Sequence, residues 1–146
     1  MVTARIIAAG AIKQSEGYFR DACGEYIKRL SRFCRVEIKE LPESAPAAEF
    51  IKQLSDRAYK IALCVEGRQY SSSEFAAFIS DAAERGGSRI DFVIGGPDGL
   101  DEEVKAACDL RLSFSQMTFP HRLMRVLLTE QLYRAFTINH GLKYDR

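Results

Sequence analysis

The stretch DFVIGGPDGL, Asp91 to Leu100, decides how the rest of the chain is read. Ile90 and Phe92 to Ile94 form a short apolar run, and three glycines, Gly95, Gly96 and Gly99, crowd the five positions that follow. A short apolar run bounded by turn residues reads as a buried strand. A strand that empties into glycine presents backbone at its tip, where side chains would otherwise stand. The spacing is not GxGxxG, and no carboxylate closes the next apolar run, which ends in Phe114-Ser115-Gln116. A dinucleotide site needs both features. A phosphate loop needs GK[ST] after its glycines, which is absent here. Pro97-Asp98-Gly99 is also good turn chemistry by itself, so a plain tight turn competes with a binding loop.

Outward from this stretch the chain alternates strand and helix. Val2 to Ala9 reads as a first strand. Glu16 to Phe33 has helical spacing, with Phe19, Ala22, Cys23, Tyr26, Ile27 and Leu30 on one face. Val36 to Leu41 alternates, as an edge strand does, and Ala47 to Arg57 is helical after Pro42 and Pro46. Ile61 to Val65 is a short buried strand. Ser71-Ser72-Ser73-Glu74 is a capping signal for a helix whose inward stripe is Phe75, Phe78, Ile79 and Ala82, ended by Gly86-Gly87. Ile90 to Ile94 is the next strand, Asp101 to Cys108 a short helix, and Leu110 to Phe114 a fifth strand. Pro120 opens a last helix that runs to about Asn139 and closes at Gly141. The alternation predicts an α/β fold, a parallel sheet flanked by helices on both faces, with residues 1–146 as a single domain. In such sheets ligands sit at the carboxyl ends of strands. Three ends carry small or polar residues: Val65-Glu66-Gly67, Gly95-Gly96-Pro97 and Phe114 to Thr118. None offers a serine–histidine pair, a metal cluster or a carboxylate dyad. Backbone groups and apolar walls suit a flat heterocycle and a thioether better than a phosphate.

Charge and cysteine usage narrow the class. Twenty-one basic residues against 20 acidic ones leave +1, so any nucleic-acid site is a local patch. Such patches are Lys28, Arg29, Arg32 and Arg35, and the tail from Met117 on, where five Arg or Lys face two acids. A solvated helix face explains the first group equally well, and is the usual fate of Arg122, Arg125 and Arg134. The four cysteines form no CxxC and there are two histidines, so no metal is expected; Cys64 and Cys108 lie in apolar contexts and read as buried thiols. No segment reaches the ~18 apolar residues that span a bilayer. These features point to a cytoplasmic protein with neither membrane nor metal.

The tail LSFSQMTFPHRLMRVLLTEQLYRAF, Leu112 to Phe136, resembles the SPOUT-class methyltransferases, and within them the RlmH-type ribosomal RNA large subunit enzymes that methylate N3 of a pseudouridine. The likeness extends to RIIAAG, KQSEGYFRDACGEYIKRLSRFC, GRQYSSSEFA and FVIGGPDGL, and so spans the whole chain. It implies a C-terminal trefoil knot, which periodicity never predicts. It also implies a homodimer, ribosomal RNA in the assembled ribosome as partner, and S-adenosylmethionine as cofactor. The family's cofactor positions fall on Leu63, Gly95, Phe114, Ser115, Gln116, Met117, Thr118 and Phe119, at the three strand tips already singled out. Glycine at 95 would then let the backbone approach the cofactor closely.

Catalytic candidates are Arg146, as anion stabiliser or phosphate clamp, Tyr144, and His121 beside Pro120. Family members usually end in Tyr-His and a basic residue; here Asp145 replaces that histidine. The departure leaves open a catalytically weakened, ribosome-associated RNA-binding knot protein. The glycine spacing disfavours a third reading, a nucleotide-binding enzyme. Leu123, Met124, Leu127, Leu128, Leu132, Ala135 and Phe136 give the last helix a broad apolar face, suited to core packing or to a dimer interface.

Overall fold

The computed structural model describes residues 1–144. Five strands form one parallel sheet: β1 (Val2–Ala9), β2 (Cys34–Leu41), β3 (Tyr59–Gln69), β4 (Arg89–Ile94) and β5 (Leu110–Ser113), in the order β2-β1-β4-β3-β5. Five helices connect and cover them: α1 (Gly17–Leu30), α2 (Ala47–Gln53), α3 (Ser72–Arg85), α4 (Glu102–Ala106) and α5 (His121–Asn139). Successive strand residues point to opposite faces, so β1 sends Ile6 one way and Ile7 the other, and β4 does the same with Phe92 and Val93. One face packs Ile6, Phe92, Ile61 and Leu112 against Leu30 of α1, Ile79 of α3 and Leu128 and Leu132 of α5. The other packs Ile7, Ala62 and Val93 against Phe50 of α2 and Val104 of α4. The expected doubly covered parallel sheet is therefore present, with β2 at one edge.

Local signals set several boundaries. Ser71 caps α3 in a reciprocal capping box: its hydroxyl accepts from the Glu74 N–H at 3.1 Å, and its own N–H donates to Glu74 Oε1 at 2.8 Å. Pro120 precedes the first residue of α5. Two elements differ from expectation for tertiary reasons. α2 stops at Gln53, four residues early, because the chain turns out of the helix so that the Ser55 N–H can donate to buried Asp91 Oδ2 at 2.8 Å. β3 runs on to Gln69 because it pairs β5 twice, at Leu63↔Leu112 and again, past a bulge, at Arg68↔Leu112 and Gln69↔Ser113. Gly67 sits in that bulge, where a Cβ would lie 2.7 Å from the backbone of Arg111 and Leu112.

Two further expectations are corrected. Cys23 and Cys34 are the fully buried thiols, whereas Cys64 and Cys108 are half-buried. Arg125 is no solvated charge: it is 1% exposed, among the largest fully buried side chains. It donates to Glu40 Oε2 at 2.5 Å and to the Gly10 carbonyl, tying α5 to the ends of β1 and β2. Arg122, on the same turn, donates to the Ala11 carbonyl at 2.8 Å and to Glu43 Oε1 at 2.9 Å.

Candidate functional site

The carboxyl ends of β3, β4 and β5 open onto one cavity of about 620 Å³. Leu63 enters it from β3, Gly95 from the loop after β4, and Phe114, Ser115, Met117, Thr118 and Phe119 from the segment after β5. That last segment has a shape of its own making. The Ser113 hydroxyl donates to the Ser115 carbonyl at 2.9 Å, and the Met117 N–H donates to Ser115 Oγ at 3.0 Å. Phe114 meets buried Phe75 edge-on, centroids 6.2 Å apart. Met117 is left 73% exposed at the rim.

The glycine loop is both tight turn and cavity wall. The Gly99 N–H donates to the Gly96 carbonyl at 3.0 Å, closing the turn through Pro97 and Asp98. A Cβ on Gly95 would lie 2.5 Å from the Gly99 carbonyl carbon and 2.8 Å from the Leu100 nitrogen. Glycine is needed at 95 because the loop folds back on itself there. Gly95 also lines the cavity, so the same residue meets both the loop's own backbone and the open space.

The acidic and basic side chains of the wall are the Glu66–Lys105 pair, His121 and Asp98. Glu66 and Lys105 form an ion pair in the wall, which holds the Glu66 carboxyl below its usual range and raises Lys105. His121, at the start of α5, has Nε2 3.2 Å from Glu43 Oε1. Burial, with the nearby Arg122 cation, pushes its pKa below the ordinary histidine value, so it is a neutral imidazole at neutral pH. The remaining wall is mostly apolar side chains and backbone, such as Ile94, Leu100 and Met124, with the Ser115 and Thr118 hydroxyls. This surface suits flat, largely apolar ligands, and offers no cradle of cations for a phosphate.

The family profile described as "Predicted SPOUT methyltransferase" matches residues 2–145. The chain belongs to the SPOUT methyltransferases. Proteins named "Ribosomal RNA large subunit methyltransferase H" are similar to it along nearly their whole length. The Clostridium acetobutylicum protein is 42% identical, over 97% of this chain and 98% of its own. The Streptococcus uberis protein is 44% identical over the same shares, and the Oenococcus oeni protein 41% identical over the full length of both.

Within this SPOUT methyltransferase the candidate positions divide. Leu63, Gly95, Phe114, Ser115, Met117, Thr118, Phe119 and His121 line one cavity, whereas Gln116 is exposed and outside its wall. Tyr144 lies elsewhere. Its hydroxyl donates to Glu130 Oε2 at 2.9 Å, its ring meets Tyr133 edge-on at 4.6 Å, and the Arg134 guanidinium stands 4.9 Å over it. Burial and the Glu130 carboxylate push its hydroxyl pKa well above the ordinary tyrosine value. Tyr144 is thus fastened beside the middle of α5 and does not line the cavity of its own chain. Arg146 and Asp145 lie outside the described residues. Lys28, Arg29, Arg32 and Arg35 are all exposed.

Sequence reasoning missed Glu43, Lys105 and Arg125. Arg125 had a signal: it stands three residues before Leu128 and seven before Leu132, on the inward stripe. Glu43 had none, because it reaches His121 and Arg122 only through the fold.

Proposed function

We propose that this chain transfers a methyl group from S-adenosylmethionine to a base of large-subunit ribosomal RNA, at N3 of a pseudouridine. The observation that carries the reading is the convergence of Leu63, Gly95 and the segment after β5 on one cavity with apolar and backbone walls. That surface fits an adenine and a thioether chain, and the ribosomal RNA relatives match along almost the whole chain. Leu63, Gly95 and the segment after β5 would hold the cofactor, which would supply an electrophilic methyl for displacement by the acceptor nitrogen. The chain's own share is orientation, which accounts for most of the rate in such displacements. Phe114, Phe119 and the glycine loop hold the reactive group still and exclude water. His121, neutral and beside Glu43, is poised at the cavity wall to accept a proton.

The tail serves the RNA step. Tyr144 fastens it to Glu130, and Arg146 is the proposed anion stabiliser. Because Tyr144 stands off its own chain's cavity, the reading includes a homodimer in which the tail of one subunit serves the other, and the family's C-terminal knot. The protein would act in the cytoplasm, where its RNA is; among the described residues no helix is long and apolar enough to cross a membrane.

Calorimetry with S-adenosylmethionine, NAD and ATP tests the cofactor; only the first should bind. Ribosomes lacking the modification, incubated with labelled cofactor and mapped, should carry one new methyl at N3. Binding without transfer would leave an RNA-binding protein instead of an enzyme. A clean monomer at micromolar concentration by sedimentation would refute the dimer.

A further inference from the structure

A second cavity, of about 290 Å³, lies beside the first and shares Leu112, Phe114 and Phe119 with it. We propose that it is the acceptor-nucleotide site, in which one unpaired base of the RNA is read by the Gln131 amide while Arg68 meets the adjoining phosphate. The inference rests on the RNA-methylating reading above and adds to it the residues that select the base.

Three features favour a nucleotide as occupant. The volume is at the small end of ligand pockets, about 300 Å³ and upward, which suits one base better than a peptide or a second cofactor. The walls are aromatic, with half-buried Tyr70, Phe114 and Phe119 around buried Phe75, and aromatic side chains hold flat bases. Beside the serines Ser71, Ser72 and Ser113, the polar groups include a pre-oriented amide. Gln131 Oε1 accepts from the Ser72 hydroxyl at 3.0 Å, and its Nε2 donates to Glu130 Oε1 at 2.8 Å. A carboxylate only accepts, so Glu130 fixes which end of the amide is nitrogen. Each end keeps one free valence, a second lone pair on the oxygen and a second hydrogen on the nitrogen. An acceptor beside a donor complements a base edge that presents a donor beside a carbonyl.

Charge supports the same occupant. Arg68 is exposed, and its guanidinium stands 4.8 Å over the Tyr70 ring that lines the cavity. The β3 bulge carries it there. A permanent cation beside an aromatic slot suits a base with its phosphate. The segment after β5 walls both cavities, so a base in the second lies next to a cofactor in the first.

The test uses the full chain and two variants, Gln131→Leu and Arg68→Gln. Cofactor affinity by calorimetry, sedimentation mass, and kcat/KM on unmodified ribosomes are measured for each. Gln131→Leu should leave cofactor affinity and mass unchanged and lower kcat/KM at least ~10-fold, as expected for losing a paired base contact. Arg68→Gln should weaken RNA binding and reduce the logarithmic salt slope by about one. If wild type methylates ribosomal RNA and Gln131→Leu does so equally well, the site assignment is overturned while the proposed function stands. If Gln131→Leu instead lowers the mass or the cofactor affinity, the cavity is a subunit contact or part of the cofactor pocket, and the assignment is again overturned. If wild type methylates no ribosomal RNA, the proposed function fails first and the assignment with it.

Discussion

Replacing Gly95 with alanine adds one carbon where the structure has no room for it. The new Cβ would lie 2.5 Å from the Gly99 carbonyl carbon and 2.6 Å from its oxygen. Ordinary contact begins at 3.4 Å, so something must retreat by the difference, 0.9 Å. The obstacle is backbone, and Gly99 is pinned to Gly96 by a 3.0 Å hydrogen bond, so no side chain can swing aside. Overpacking of this kind costs ~1–3 kcal/mol. For a chain of this size each kcal/mol moves Tm by roughly 3–4 °C, so Tm should fall by about 3–12 °C. The displaced loop is also a wall of the cavity, and losing ~1.4 kcal/mol of binding there would weaken S-adenosylmethionine tenfold or more. Gly96→Ala is the control. Its Cβ would sit 3.6 Å from Ala9 Cβ and 3.9 Å from Glu43 Cγ, which is ordinary contact. It should keep Tm and cofactor affinity within the ~0.5 kcal/mol of a benign substitution. Scanning calorimetry and titration calorimetry on both variants decide the matter. Wild-type Tm and affinity in Gly95→Ala would refute the packing argument, and equal damage from both substitutions would place the cofactor on the Gly96 side of the loop.

Arg125→Met should destabilise the chain by about 2–4 kcal/mol in urea unfolding, because it orphans the Gly10 carbonyl and breaks an ion pair whose cation is buried. The figure stays below that for a fully buried pair, since Glu40 remains 40% exposed and can be resolvated. His121 gives a pH dependence of definite sign. Its folded pKa is lowered from 6.5, so the unfolded chain binds the proton more readily and stability falls as pH drops below about 6.5. In His121→Gln that fall should be smaller between pH 6.5 and 5 by thermal melts; an unchanged profile would show that His121 titrates normally. Deleting residues 143–146 should leave cofactor affinity within a few-fold and lower ribosome methylation at least ~10²-fold, the low end for losing a catalytic group. Full activity would return the search to His121.

The elements were legible because their signals are local. A helix stripe such as Phe75, Phe78, Ile79 and Ala82 repeats within four residues, and the Ser71–Glu74 cap closes within three. Strand–helix alternation is enough to require a parallel sheet with two covered faces, and the three glycine-rich or polar strand tips followed from it. The tail motif supplied the family. What the fold alone decided lies between residues far apart in the chain. The order β2-β1-β4-β3-β5 brings Leu63 and Gly95 to the same cavity, and pairing with β5 extends β3 through its bulge. Arg125 reads as a surface charge until Gly10, 115 residues away, and Glu40, 85 away, supply its partners. That Gly95 is also hemmed in by the backbone of Gly99 and Leu100 shows only once the loop is seen folding back. Gln131 belongs to Ser72, 59 residues away, only because α5 packs on α3. Periodicity and caps are written within a few residues, whereas burial of a charge, closure of a cavity and the orientation of an amide depend on which distant groups packing brings within about 3 Å.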